Sequence, residues 1–101
     1  METIGQIILQ QLGGNKFIAM TGAKDFVRSD AGKWLQFKLP SNFAKNKINC
    51  VKITLTPADL YDVEYMYIRG MNVKEVSVSR SIYADMLQKD ITENTGLDTH
   101  L

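Results

Sequence analysis

The chain is 101 residues long, 45% hydrophobic and 23% charged. That is enough apolar surface for one domain, residues 1–101, and too little chain for two. No apolar run approaches the roughly 18 residues a membrane-spanning helix needs, and Met1 to Leu12 lacks the basic flank and cleavage site of a secretory signal, so a cytoplasmic protein with no membrane partner is expected. A single cysteine, Cys50, and a single histidine, His100, allow no intrachain disulfide and no familiar metal or Cys–His spacing, so the expectation is a protein without cofactor, metal or catalytic centre.

The net charge of +1 conceals an uneven distribution. From Lys16 to Lys52 eight basic residues stand against Asp25 and Asp30, whereas from Ile53 onward four basic residues stand against eight acidic ones. If the two segments fold onto different parts of the surface, one side attracts polyanions and the other repels them. If they interleave in one sheet, they neutralise each other locally. Charge order along the chain does not choose between these.

Taken in order, the chain opens with a helix. Thr3 and Gln6 have the spacing of a capping box, Ile4, Ile7, Ile8 and Leu12 recur at three- and four-residue steps, and Gly13-Gly14 ends the stripe. Lys16 to Met20 is a short strand candidate, and Thr21 to Asp25 a turn. Phe26 to Ser29 and Trp34 to Leu39 flank Asp30-Ala31-Gly32-Lys33, where aspartate starts a turn and glycine is expected to supply a positive φ. In the second strand Leu35, Phe37 and Leu39 alternate with Trp34, Gln36 and Lys38, the pattern of a half-buried strand.

Pro40 stops that strand, Ser41 to Lys47 is a polar basic loop, and Ile48 to Thr56 is the next strand, with Val51, Ile53 and Leu55 inward and Cys50, Lys52 and Thr54 outward. Thr56-Pro57-Ala58-Asp59 predicts one helical turn or a tight turn. Val63 to Arg69 and Val73 to Arg80 predict a hairpin around Gly70-Met71-Asn72. A last helix begins near Ser81 or Ile82, buries Tyr83, Met86, Leu87 and Ile91, exposes Asp85, Lys89 and Glu93, and ends at Gly96 with Leu97 beyond it. The result is an α+β class: a mainly antiparallel sheet of about five or six strands with an N-terminal and a C-terminal helix on one face.

Several stretches carry a resemblance. Gln11-Leu12-Gly13-Gly14 with Met20-Thr21-Gly22-Ala23-Lys24, Val51-Lys52-Ile53-Thr54-Leu55 leading to Tyr61-Asp62-Val63-Glu64, then Tyr83-Ala84-Asp85-Met86-Leu87 and Thr95-Gly96-Leu97, together span most of the chain. As a set they resemble a family of small uncharacterised proteins encoded by bacteriophages and bacterial mobile elements. The resemblance implies an accessory protein made inside the bacterial host cell. It brings no assigned activity and no site residues.

The residues with functional leaning lie in the basic half. If the strands containing Trp34 and Lys52 pair, then Trp34, Lys38 and Lys52 share a surface, with Lys45 and Lys47 in the connecting loop. An aromatic ring among lysines suits single-stranded nucleic acid, because bases stack on the ring and cations neutralise phosphates. The plainer alternative is that Trp34 packs and the lysines keep the surface soluble. Met20 to Lys24 offers a glycine and a lysine for an anion such as a nucleotide, but lacks the second glycine and the Lys-Ser/Thr ending of a phosphate loop, so a turn explains it better.

Asp59, Asp62 and Glu64 read as a solvated acidic edge, because a hard-metal cage needs more converging oxygens. Tyr61, Val63, Tyr65 and Tyr67 share one strand face, first as packing and second as a tyrosine-rich contact surface. Two functional classes follow. One is a binding module for nucleic acid or another polyanion using Trp34, Lys38, Lys45, Lys47, Lys52 and Lys24. The other is a small inhibitor of a bacterial host protein or defence complex, or a protein that sequesters a nucleotide ligand. An uncovered sheet face or an edge strand would also permit a homodimer.

Overall fold

Alternating apolar residues in the middle of the chain build the sheet, and the apolar stripes at its two ends supply the cover. The computed structural model describes residues 3–29, 31–40 and 48–96. The elements are α1 (Ile4–Leu12), α2 (Asn15–Thr21), β1 (Lys24–Ser29), β2 (Trp34–Lys38), β3 (Cys50–Leu55), β4 (Tyr61–Arg69), β5 (Asn72–Ile82), a short 3₁₀ turn (Ala84–Met86) and α3 (Leu87–Thr95). The five strands form an antiparallel meander in the order β1-β2-β3-β4-β5. The fold is α+β. No helix among the described residues is long and apolar enough to cross a membrane.

α1 starts with the expected capping box: the Gln6 amide donates to Thr3 Oγ1 at 3.1 Å and the Thr3 amide to Gln6 Oε1 at 2.9 Å. Its stripe buries Ile8 and Leu12 against β1, β2 and α3. The strand expected over Lys16 to Met20 is instead the helix α2. A turn through Gly13 and Gly14, both at positive φ, restarts the helix at Asn15, and the left-handed Gly22 closes it. Phe17 and Thr21, one turn apart, face inward, and the Thr21 hydroxyl donates to the Phe17 carbonyl at 2.8 Å. Phe17 is fully buried, with its ring edge-on to Phe37 at 5.4 Å between centroids.

The inner face of the sheet carries Leu35, Phe37, Val51, Ile53, Tyr61, Val63 and Tyr65, all buried with Ile8, Leu12, Leu87 and Ile91. Tyr61 and Tyr65 of β4 are therefore core residues, as their first reading held, whereas Tyr67 is only half-buried. Tyr65 keeps its hydroxyl satisfied by donating to Asp90 of α3 at 2.6 Å. Burial and that carboxylate push its pKa far above the usual tyrosine value.

Three local expectations are corrected. The positive φ in the β1–β2 turn belongs to Lys33, at 57°, and not to Gly32. Glycine at 32 answers a different demand, since a Cβ there would meet Trp34 Nε1 at 2.6 Å. The last helix starts later than Ser81 or Ile82, because Ile82 still pairs with Tyr61 and the Ser81 amide donates to Asp62 Oδ1 at 2.9 Å. α3 buries Leu87, Ile91 and Thr95, one residue per turn, whereas Tyr83 is 65% and Met86 43% exposed. Finally, Cys50 is fully buried although it alternates to the open side. It lies in the central strand between its cross-strand neighbours Lys38 and Met66.

Candidate functional site

All three described helices pack from one side, so among the described residues the other face of the sheet carries no helix. Its cross-strand rows follow from the register. One runs Ser29, Trp34, Thr54, Asp62, a second Val27, Gln36, Lys52, Glu64, Val78, and a third Lys24, Lys38, Cys50, Met66, Glu75. A meander keeps chain order across the sheet, so the charge asymmetry of the sequence becomes an asymmetry in space. β1 to β3 with the first turn carry Lys24, Arg28, Lys33, Lys38 and Lys52 against Asp25. β4 and β5 balance Arg69, Lys74 and Arg80 with Asp62, Glu64 and Glu75. Arg80 Nη1 approaches Asp62 Oδ2 at 3.9 Å.

The structure brings some of the nominated residues together and separates others. Trp34 and Lys52 touch, with the Lys52 ammonium 4.8 Å from the indole ring centroid. Lys52 is also the direct cross-strand partner of Glu64. The indole is half-buried, held by Lys52 and by the backbone at Gly32. Lys24 and Lys38 are a second pair, directly opposite each other across β1 and β2 and both exposed. No ion pair engages either among the described residues. Lys45, Lys47 and His100 lie outside the described residues.

Beside Lys24 and Lys38 the end of the sheet holds a cavity of about 330 Å³. Lys24, Asp25, Lys38, Leu39, Asn49 and Ile68 line it. Asn49 ties the Ile68 part of the lining down: its Nδ2 donates to the Ile68 carbonyl and its Oδ1 accepts from the Ile68 amide, each at 2.8 Å, so a side chain continues the β3–β4 ladder past its last backbone pair. Gly70 lies at the rim, in the β4–β5 turn, with nothing within 4 Å of where a Cβ would stand. Asn49, Ile68 and Gly70 carry no sequence signal for a site. Asn49 is brought beside Lys38 by the hydrogen bond from the Leu39 amide, and Ile68 by its bonds to Asn49, 19 residues away in the chain.

The acidic candidates have structural partners. Asp62 accepts from the Ser81 amide and pairs with Arg80, Glu64 faces Lys52, and Asp59 is in a tight turn where its amide donates to the Thr56 carbonyl at 3.0 Å. No cluster of three metal-ligating side chains occurs among the described residues. Burial raises the Cys50 thiol above its usual pKa, with Lys38 offsetting part of the shift, so the reactive thiolate is disfavoured. No protein-family model matches the chain, and comparison with curated proteins and with solved structures finds no relative.

Proposed function

We propose that the chain is a non-catalytic accessory protein of a phage or mobile element that binds nucleic acid or another polyanion at the basic end of its open sheet face. The observation that carries this reading is the Lys24–Lys38 pair. Like charges directly opposite on neighbouring strands destabilise a sheet, and here neither ammonium has an acidic partner among the described residues. An anion bridging the two removes the repulsion. Lys52 on Trp34 extends the cationic surface one strand further into the sheet, and the indole offers an edge on which a base can pack.

Fluorescence anisotropy with single-stranded and duplex oligonucleotides at low salt tests the proposal, with heparin as a competitor that lacks bases. The expected result is binding that weakens steeply with salt, is displaced by heparin and is weakened in K24Q/K38Q but retained in K74Q on the far edge strand. Absence of binding to both oligonucleotides at low salt, or equal losses in the two variants, overturns it.

A further inference from the structure

We infer that the cavity beside Lys24 and Lys38 is a pocket for a single mononucleotide, a phosphate ester with a flat, largely apolar base. The inference rests on the anion-binding reading only in sharing those two lysines, and it adds a ligand of defined size and two-part chemistry. Size comes first. The volume of about 330 Å³ is at the lower end of the roughly 300–1,000 Å³ typical of small-molecule pockets, large enough for one nucleotide and too small for a folded chain or a duplex.

Chemistry comes second. Lys24 and Lys38 present ammonium groups that can donate to the same phosphate from adjacent strands. Ile68, half-buried in the same lining, offers apolar surface to a base, whereas Leu39 is 3% exposed and belongs to the core. Asp25 repels phosphate from its own end of the cavity and is placed to accept hydrogen bonds from sugar hydroxyls or a base amino group. An inorganic anion would satisfy the lysines and leave Ile68 unused, whereas an uncharged nucleoside would do the reverse.

The third point is pre-organisation. Ile68 is fixed by its paired hydrogen bonds with Asn49, and the strand ends beside it are tied by the Leu39 amide donating to the Asn49 carbonyl at 2.9 Å. Gly70 keeps the rim open, since no side chain projects from that position. A lining that is already held loses little to ordering on binding.

Isothermal titration calorimetry of the full chain with 5′-AMP, 5′-UMP, ribose 5-phosphate, inorganic phosphate and adenosine tests this. The nucleotides are expected to bind at least about tenfold more tightly than phosphate, ribose 5-phosphate or adenosine, and K24Q or K38Q to weaken them by about tenfold or more, the loss of one charged hydrogen bond. Phosphate binding as tightly as AMP, adenosine binding as tightly as AMP, insensitivity to both lysine variants, or no binding of either nucleotide at millimolar concentration each overturns the pocket. K52Q separates the two proposals. It is expected to weaken oligonucleotides and leave AMP affinity unchanged, so oligonucleotide binding without AMP binding sinks the pocket alone, and AMP binding without oligonucleotide binding sinks the polyanion reading alone.

Discussion

The two faces of the sheet use the same strands for opposite purposes. On the inner face nearly every side chain from β2 to β4 is buried against α1, α2 or α3, and the hydroxyl of the fully buried Tyr65 is paired with Asp90. On the open face apolar and charged residues alternate in rows, Val27 and Val73 are 52% and 62% exposed, and two lysines face each other with no ion pair to either among the described residues. Packing explains the first face almost completely. The second keeps features that packing does not require, and unrequired electrostatic cost is where function is sought.

Substitutions on either face sharpen that contrast. The largest effect is expected from F17A, which empties a fully buried position against Phe37 and should cost about 3–5 kcal/mol in chemical denaturation, while V27A on the open face should stay within about 0.5 kcal/mol. Comparable losses at both positions would break the distinction. G32A comes next. Its new Cβ is driven into the indole, so a loss of about 1–3 kcal/mol from overpacking should accompany a shifted tryptophan emission, the sign that the turn and Lys52 hold Trp34 between them.

Tyr65 tests the inner face by pH. Its raised pKa means that the folded state keeps a proton the unfolded chain releases near the ordinary tyrosine value of 10. Stability is therefore complete below pH 10 and falls as pH rises above it. Y65F should lower stability at neutral pH by about 1–2 kcal/mol through the unpaired Asp90 and flatten the alkaline loss, both read from thermal melts between pH 8 and 11. The smallest effect has the opposite sign. K38Q relieves the Lys24–Lys38 repulsion and should raise the melting midpoint slightly at low salt, with the gain fading as salt is added.

The inner face was largely legible in the sequence and the open face only in part, for a physical reason. Leu35, Phe37, Val51, Ile53, Val63 and Tyr65 alternate with period two, so strand and buried face can be read together. α2 escaped because seven residues give too little room for a helical period to stand out. The signals that mark it are the flanking Gly14 and Gly22 and the one-turn spacing of Phe17 and Thr21. Cys50 was assigned outward correctly by alternation, but its burial depends on the reach of Lys38 and Met66 from the neighbouring strands.

The candidate site has the same structure of success and failure. Lys24, Trp34, Lys38 and Lys52 are visible as a charge excess with one aromatic ring. That Trp34 meets Lys52 depends on the register of β2 on β3, and that Lys38 meets Lys24 depends on the register of β1 on β2, which a bulge between Lys24 and Val27 shifts. No local pattern encodes that shift. Asn49 and Ile68 are beyond local reading for the same reason, since they meet only because β3 and β4 pair.

The most direct test of the account is the dependence of oligonucleotide affinity on salt for the wild type and K24Q/K38Q. Removing two phosphate contacts should reduce the slope of log affinity against log salt by about 1.4 for a single strand, at roughly 0.7 per contact, together with an overall loss of affinity. Parallel slopes for the two proteins would contradict it, because the unneutralised lysine pair would then have no part in holding the anion.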